Sequence, residues 1–422
     1  MDLLIKNAHV VSPADGLDAA ADILVRDGRI AQIGTDLSAD GAVLDASGLT
    51  AVPGFVDMHV HLRDPGQTAK EDILTGCNAA AAGGVTSLLC MPNTVPTVDN
   101  TETVQYIINK AKNANARVYV AASITKGLKS AEPTDLQALR DAGAVGLSDD
   151  GRPVENTKFL RDAMRLAPKL GMRVVAHCED LFLADGGKLN EGAVSAALGV
   201  KGIPAAAEDC GTAREIALAA AENVPIHICH VSTKTSVALV RDAKRRGVQV
   251  TAETAPHYFS LTEQALLQRD ADYRMNPPLR TEADVAAIIE GLTDGTLDCI
   301  ATDHAPHTVE EKSDFEKAPN GSVGMETSFA VANTYLVRTG VLTLAQLVEK
   351  MSVNPARLLG IQAGTLSAGA PADIVLIDTD EQWTVDADRL HGKSKNTPFK
   401  GMTLTGKVKR TLLGGKTVFI DN

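Results

Sequence analysis

Two histidines separated by one residue stand in the segment FVDMHVHLRDP, residues 55–65. Its first seven residues alternate between bulky apolar types and Asp57, His59 and His61, and a period of two places those three polar side chains on one face of a strand. Imidazoles at i and i+2 suit a strand face that lines a cavity and holds a metal ion. The apolar residues between them argue against a surface strand, because parallel strands are covered on both faces. The segment therefore predicts a metal site, with Asp57 one layer deeper, orienting a ligand imidazole.

Composition narrows the class of protein. The chain has 422 residues, a mass of 44.3 kDa, a formal charge of −12 and a pI near 5.3. This acidic balance, with no basic stretch, disfavours nucleic acid as a partner, whereas a small anionic substrate would need local cations. The N-terminal residues lack the pattern of a signal peptide, and no apolar run approaches the roughly 18 residues of a membrane span. We expect a cytoplasmic protein without a membrane partner, whose six cysteines are reduced and mostly buried.

The pattern of predicted secondary structure changes near residue 55. Before it, short alternating runs flank an Asp27-Gly28 turn, which is typical of antiparallel strands. After it, strand-like runs alternate with helical stretches, one of which opens with Asp99 and Glu102 spaced as a capping box. Eight such units in about 300 residues predict a closed (β/α)8 barrel of the TIM type. The predicted strands are 55–62, 85–93, 117–124, 144–150, 173–180, 226–232, 249–256 and 298–304.

The segments outside the barrel are both β-rich. A charged stretch, TVEEKSDFEKAPNG, follows the eighth strand and is a candidate mobile loop over a site. From about residue 365 the antiparallel pattern returns, with a Gly414-Gly415 turn. Neither terminal segment is large enough to bury a core alone, so we expect them to pair into one small β-sandwich domain. The predicted divisions are 1–53 and 363–422 for that domain and 54–362 for the barrel.

Polar residues stand at the C-terminal ends of five predicted strands, where barrels of this type assemble their active sites. Four imidazoles and two carboxylates, Asp303 and one of Asp149 and Asp150, are too many ligands for one zinc ion. They suit two metals that share a bridging carboxylate. Asp149 and Asp150 point to opposite faces, and alternation does not say which is the ligand. The candidates are His59, His61, Asp149 or Asp150, His177, His230 and Asp303.

Other residues near these strand ends are expected to have different roles. Alternation turns Cys178, Cys229 and His227 away from the face that carries His177 and His230, which makes them packing residues. His257 and His304 could support the metal ligands without binding a metal themselves.

The same strand ends offer groups that could hold a substrate. Arg63 lies two residues after His61, which extends that face to the barrel mouth, where a guanidinium can grip a carboxylate. Asn93, Asn276 and His307 follow the second, seventh and eighth strands. Together they predict a recognition rim for a small anionic substrate with amide groups.

Seven motifs together resemble the amidohydrolase superfamily, and within it the dihydroorotases of the long, type I class. They are FVDMHVHLRDPG, MPN, GLSDDG, VVAHCED, CHVS, YRMNPPLR and ATDHAPH. The resemblance covers essentially the whole chain. It implies two zinc ions, one held by His59, His61 and Asp303 and the other by His177 and His230, with Asp150 as the bridge.

The resemblance also implies a reaction. It is the reversible hydrolysis of (S)-dihydroorotate to N-carbamoyl-L-aspartate, a step of pyrimidine synthesis, by a metal-bridging hydroxide with Asp303 as the proton shuttle. Arg63, Asn93 and His307 would bind the substrate carboxylate. Asn276 and the Asn320-Gly321 backbone would bind the pyrimidine ring, although asparagine at 320 departs from the usual residue.

Two other functions compete with this hypothesis. Related hydantoinases and allantoinases usually bridge their metals with a carboxylated lysine, which the fourth strand, AVGLSDDG, does not offer. An inactive dihydroorotase-like scaffold for aspartate transcarbamoylase would lose metal ligands, and this chain retains all of them. The resemblance further implies a homodimer. The sequence does not decide whether the chain also associates with aspartate transcarbamoylase.

Overall fold

The structure is a computed structural model that describes residues 2–421. Its eighteen strands are β1 (Leu3–Ser12), β2 (Leu17–Arg26), β3 (Arg29–Gly34), β4 (Ala42–Asp45), β5 (Thr50–Pro53), β6 (Phe55–Val60), β7 (Val85–Cys90), β8 (Arg117–Ala122), β9 (Gly146–Leu147), β10 (Arg173–Ala176), β11 (Leu189–Asn190), β12 (Gly202–Ile203), β13 (Ile226–Ile228), β14 (Val250–Thr254), β15 (Cys299–Ile300), β16 (Ile374–Thr384), β17 (Thr403–Leu413) and β18 (Lys416–Ile420).

The α-helices of the same residues are α1 (Ile73–Ala82), α2 (Thr101–Ala111), α3 (Leu136–Asp141), α4 (Thr157–Leu166), α5 (Leu181–Ala184), α6 (Ala193–Leu198), α7 (Ala205–Glu222), α8 (Lys234–Arg245), α9 (Pro256–Ser260), α10 (Glu282–Thr293), α11 (Val309–Lys312), α12 (Ser328–Ala332), α13 (Leu344–Val348) and α14 (Asn354–Leu359). Among the described residues, no helix is both long and apolar enough to cross a membrane.

Eight parallel strands form the barrel, in the order β6-β7-β8-β9-β10-β13-β14-β15. The ring closes where Val60 pairs with His304, and the His61 N–H donates to the His304 carbonyl over 2.8 Å. Each predicted barrel strand is present but shorter at its C-terminal end, because the polar residues there belong to loops. The predicted (β/α)8 fold is confirmed.

Strand β6 is irregular at the metal motif. Its register against β7 shifts between Asp57 and Val60, so two residues of β6, Met58 and His59, face one residue of β7. Val56 and Met58 belong to a buried cluster inside the barrel, whereas Phe55 and Val60 pack outward against the helices. This bulge lets Met58 and His59 both point inward, as bulges do when they re-aim a side chain.

The prediction that Asp57 shares the face of His59 is therefore wrong. The Asp57 carboxylate accepts hydrogen bonds from the Thr302 N–H over 3.1 Å, from the Thr302 hydroxyl over 2.5 Å and from the His59 N–H over 3.1 Å. It fastens β6 to the end of β15 and does not bind an imidazole. Burial raises its pKa to about 6, although these hydrogen bonds oppose the shift.

Both ends of the chain build one further sheet, with strand order β18-β17-β16-β5-β1-β2-β3 and β4 paired to β1. Antiparallel pairing of β5 with β16 joins the two segments. They share a core that includes Ile23 from one segment and Ile374 and Leu412 from the other. The predicted turns are present, since Asp27-Gly28 links β2 to β3 and Gly414-Gly415 links β17 to β18, all four residues with positive φ. The exact domain divisions stay a prediction.

Two connections differ in detail from the sequence analysis. The capping box predicted at Asp99 is wrong by one residue, because Asn100 caps α2 by accepting from the Thr103 N–H over 2.9 Å. The charged segment after β15 contains α11, whose Lys312 ammonium donates to three backbone carbonyls over 2.9–3.2 Å. That segment therefore has an anchored conformation, and its motion stays a prediction.

Candidate metal centre and active site

Six predicted ligands meet at the C-terminal mouth of the barrel. All of them are at most 6% exposed. They follow or end five different barrel strands, so the closed barrel brings together residues that are up to 244 positions apart. The ligands are His59 and His61 at β6, Asp150 after β9, His177 after β10, His230 after β13 and Asp303 after β15.

Asp150 lies at the centre of this cluster. Its Oδ1 is 3.2 Å from His59 Nε2, 3.4 Å from His177 Nδ1 and 3.3 Å from His230 Nε2. Its Oδ2 is 3.4 Å from His61 Nε2. One carboxylate therefore faces imidazoles on both sides, the arrangement expected of a bridging ligand.

Asp303 completes one side of the cluster. Its Oδ1 is 3.2 Å from His61 Nε2 and 3.7 Å from His59 Nε2. The residue has φ +47°, a left-handed conformation that is uncommon outside glycine.

The neighbouring Asp149 is engaged in other contacts. Its carboxylate accepts from the Ile124 N–H over 2.7 Å, from the Thr125 N–H over 3.1 Å and from the Thr125 hydroxyl. These bonds hold it against the end of β8. Of the two aspartates, Asp150 is the one whose carboxylate faces the imidazoles, and its role as the bridging ligand stays a prediction.

The donor atoms fit divalent metal ions. Ligands at about 2.0–2.1 Å from a tetrahedral zinc ion lie roughly 3.3 Å from one another, which matches the spacing around Asp150. His59 Nε2 is buried and makes no hydrogen bond within residues 2–421. Two overlapping groups, His59-His61-Asp150 and Asp150-His177-His230, bring their donor atoms close enough to share an ion.

The electrostatics of the cluster favour ionised carboxylates. Burial by itself would raise the pKa of Asp150, but the charge of His59 and hydrogen bonds from His177 and His230 hold it well below its usual range. The pKa of Asp303 is lowered in the same way, because its contacts with His61 and His59 outweigh burial.

A cation lies beside the cluster, at the barrel mouth. Arg63 is 7% exposed, donates from Nε to the Pro306 carbonyl over 3.2 Å and places Nη2 3.4 Å from His307 Nε2. Burial lowers the pKa of Arg63 to about 10, partly offset by Asp303 and Asp150, so the guanidinium is charged at neutral pH.

The predicted substrate residues occupy three sides of the mouth. On the side of Arg63, His307 Nε2 lies 3.0 Å from the Asn320 carbonyl, and the Gly321 N–H donates to the Arg274 carbonyl over 2.9 Å. Burial, with the charges of Arg63, Lys312 and Lys70, lowers the pKa of His307 to about 3, so this ring is neutral at pH 7. On the other two flanks, Asn93 contacts His61 and Asn276 contacts a carboxylate beside His177.

A family model described as the amidohydrolase family matches residues 50–418 of the chain. The chain belongs to the amidohydrolase family. Proteins named dihydroorotase from Geobacter metallireducens and Acetivibrio thermocellus are each 51% identical to it, over 99% of this chain and 100% and 98% of their own lengths. The resemblance to dihydroorotases that the motifs predict is thus confirmed over nearly the whole chain.

Solved amidohydrolase-fold structures are similar at lower identity. The L-hydantoinase (dihydropyrimidinase) of Arthrobacter aurescens superposes with a TM-score of 0.89 at 29% identity, covering 99% of this chain and 96% of that one. A dihydropyrimidinase of Brevibacillus agri gives a TM-score of 0.88 at 28% identity, covering 100% and 95%. These two proteins are named as hydantoinase or dihydropyrimidinase, the competing class of enzyme. Their sequence identity to this chain is little more than half that of the proteins named dihydroorotase.

One carboxylate inside the amidohydrolase barrel was not among the predicted site residues. Glu253 on β14 is 1% exposed and accepts from His59 Nδ1 over 3.0 Å and from His227 Nε2 over 3.2 Å. Because a carboxylate only accepts, His59 donates from Nδ1 to Glu253, which leaves Nε2 as the ring nitrogen that faces Asp150. The only sequence signal was an acidic residue in a predicted buried strand.

Two expectations about packing residues are also wrong. His227 does not face away from the barrel interior, since it binds Glu253 and is fully buried. Cys229 lies in the interior cluster, with its sulfur within 4.8 Å of donor atoms of His59 and Glu253. Alternation fails here because β13 ends at Ile228. His230 lies in the following loop, and its own φ of +35° turns its side chain into the site. Cys178 does pack outward, as predicted.

The other ligand imidazoles also have acceptors on their second nitrogen. His61 Nδ1 lies 2.8 Å from Asn93 Oδ1, and His177 Nε2 lies 3.2 Å from Glu179 Oε2. Glu179 also accepts from Asn276 Nδ2 over 3.2 Å. Asn93 and Glu179 thereby fix which nitrogen each ring presents to the centre.

His257 and His304 lie against the cluster without entering it. Both rings are buried, neither Nε2 makes a hydrogen bond among the described residues, and the Gly324 N–H donates to His304 Nδ1 over 3.2 Å. Burial lowers the pKa of His257 to about 4 and that of His304 to about 3, so both are neutral at pH 7.

Proposed function

We propose that this amidohydrolase catalyses the reversible hydrolysis of (S)-dihydroorotate to N-carbamoyl-L-aspartate, as a step of pyrimidine and hence UMP synthesis. The observation that carries the proposal is a buried guanidinium, Arg63, beside a cluster of four histidines centred on Asp150. An anion-binding group next to a hydrolytic centre suits a cyclic amide that bears a carboxylate. The 51% identity to proteins named dihydroorotase supports the same substrate.

Two zinc ions would occupy the centre, one held by His59, His61 and Asp303 and the other by His177 and His230, with Asp150 between them. Metal ions in such a site lower the pKa of water towards neutrality and polarise the carbonyl group that is attacked. The residues of this chain prepare the site: Glu253, Asn93 and Glu179 hold the ligand rings in the required tautomers.

Asp303 moves the proton. Its ionised carboxylate, next to His61, takes a proton from the attacking water as the C–O bond forms. It then delivers that proton to the ring nitrogen as the C–N bond breaks. In the reverse direction the same carboxylate takes the proton from the nitrogen that closes the ring. Because its pKa is lowered, the carboxylate is ionised at neutral pH, which is the form that can take a proton.

The rim holds the substrate. Arg63, His307 and Asn93 bind the carboxylate. Asn276 and the backbone of Asn320 and Gly321 bind the ring amides. Since the carboxylate does not react, these contacts orient the ring carbonyl over the metal centre.

The structural neighbours favour a second candidate, hydrolysis of an uncharged cyclic amide such as allantoin or dihydrouracil. Arg63 argues against it, because burying a guanidinium without a counter-ion in the substrate has an energetic cost. Asp150, where hydantoinases usually have a lysine, argues in the same direction. An inactive scaffold for aspartate transcarbamoylase is a third candidate, which the complete ligand set disfavours.

We infer a homodimer in the cytoplasm, by analogy with the dihydroorotase family. An association with aspartate transcarbamoylase is compatible with catalysis. Cross-linking of the purified chain, with and without that partner, tests both points.

The test of the function is a comparison of substrates. The purified, zinc-loaded chain is assayed for ring opening of dihydroorotate, allantoin and dihydrouracil. We expect a preference for dihydroorotate of at least about tenfold, the value of one charged hydrogen-bond pair. Preference for an uncharged ring would favour the second candidate, and inactivity on all three with metal bound would favour the scaffold.

A further inference from the structure

A second cavity lies away from the metal centre, between the small sheet and the barrel. It lies where β16, β17 and β18 meet α1 and α12, and the empty space there, including open solvent, is about 680 Å³. The chain's only tryptophan, Trp383, and two of its eight phenylalanines, Phe329 and Phe419, line it. None of the metal ligands lines this cavity.

The aromatic walls are held in fixed positions. Trp383 donates from Nε1 to the Gly406 carbonyl over 2.9 Å. The Phe329 ring stacks on Phe55 at 5.7 Å, and the Phe419 ring meets the His391 ring edge-on at 5.2 Å. Fixed aromatic surfaces favour a planar ring, which gains stacking without ordering the protein further.

The carboxylates of the cavity already have donors. Glu326 accepts from His391 Nδ1 over 2.8 Å and from the His391 N–H over 2.7 Å. Asp421 pairs with Lys407 over 2.9 Å, and Asp386 accepts from the Asp388 N–H over 3.1 Å. These groups gain little from a cationic ligand.

Arg389 differs from them. Its guanidinium lines the cavity and makes no hydrogen bond or ion pair to any other part of residues 2–421. Lys407, the other cation of the cavity, is neutralised by Asp421 and by Glu381 at 3.4 Å. Among the described residues that line the cavity, Arg389 is therefore the basic side chain without a carboxylate partner, and a planar guanidinium can bind a carboxylate or phosphate through two parallel hydrogen bonds.

We propose that this cavity binds a small planar aromatic ring that carries an anionic group, the chemistry of a nucleoside monophosphate. The ring packs against Trp383 and Phe419, and the anionic group pairs with Arg389. The site is separate from the metal centre, so the proposal does not depend on the reaction catalysed there.

The sole tryptophan reports binding directly. The full chain is titrated with AMP and UMP, and Trp383 fluorescence is excited at the red edge of indole absorption, where nucleotides absorb little. We expect a saturable change, with adenosine and uridine binding at least about tenfold more weakly because they lack the anion. Inorganic phosphate should give no change, and saturating dihydroorotate should not compete.

Variants locate the anion contact. Arg389→Gln should remove the advantage of AMP over adenosine. Arg246→Gln, at an exposed arginine on α8's C-terminal end, should leave that advantage unchanged. The proposal would be overturned if nucleotide and nucleoside bound with equal affinity, or if the Arg389→Gln variant titrated like the unmodified protein. Displacement of the nucleotide by dihydroorotate, or the absence of a saturable signal, would also overturn it.

Discussion

Replacing Glu253 by glutamine should weaken metal binding although Glu253 touches no metal site directly. The carboxylate accepts from His59 over 3.0 Å and from His227 over 3.2 Å. Glutamine keeps the shape but offers one acceptor and one donor, so one of the two imidazole N–H groups meets an N–H group. If His59 changes its tautomer in response, its Nε2 becomes protonated and no longer binds a metal.

Loss of a group that orients a ligand histidine typically costs 10–100-fold in metal affinity, about 1.4–2.7 kcal/mol. We expect the zinc affinity of the site that contains His59 to fall by about 10–100-fold. It is measured by competition between the metal-free protein and a chromophoric zinc chelator. Affinity at the His177 and His230 site should change less. Glu215→Gln is the matched control, because Glu215 is equally buried but pairs with Arg214. Wild-type zinc affinity in a folded Glu253→Gln variant would refute the positioning role.

Three further outcomes follow from the site. Asp303→Asn should lower kcat for dihydroorotate by about 10²–10⁴-fold while much of the zinc stays bound, and wild-type turnover would remove the proton shuttle. Arg63→Met should raise KM for dihydroorotate by roughly 10–100-fold with little effect on dihydrouracil, whereas equal losses on both would contradict carboxylate recognition. Prolonged chelation should abolish activity and added zinc should restore it, measured by ring opening; activity that survives metal removal would exclude the two-metal site.

The sequence predicts the barrel well because its strands are local patterns. Alternating strand and helix runs give eight units, and polar residues at their ends stand out from buried neighbours. The carboxyl ends of parallel strands meet at one mouth, so His59, His177 and His230 could be grouped before their distances were known.

The wrong or missing predictions concern residues where the alternation of strand faces breaks down, or residues whose contacts lie far apart in the sequence. The bulge in β6 separates Asp57 from His59, and no residue type in that strand signals it. Glu253 contacts His59 from 194 positions away, so only the closed barrel shows that the two meet. The choice between Asp149 and Asp150 depends on backbone donors from the end of β8, which a strand pattern does not contain.

The most direct test is a zinc titration of the metal-free protein in which dihydroorotate ring opening and bound metal are measured on the same samples. We predict that activity appears with metal and reaches its maximum at about two zinc ions per chain, as a shared Asp150 requires. Full activity without metal, or no activity on dihydroorotate at two bound zinc ions, would contradict the account.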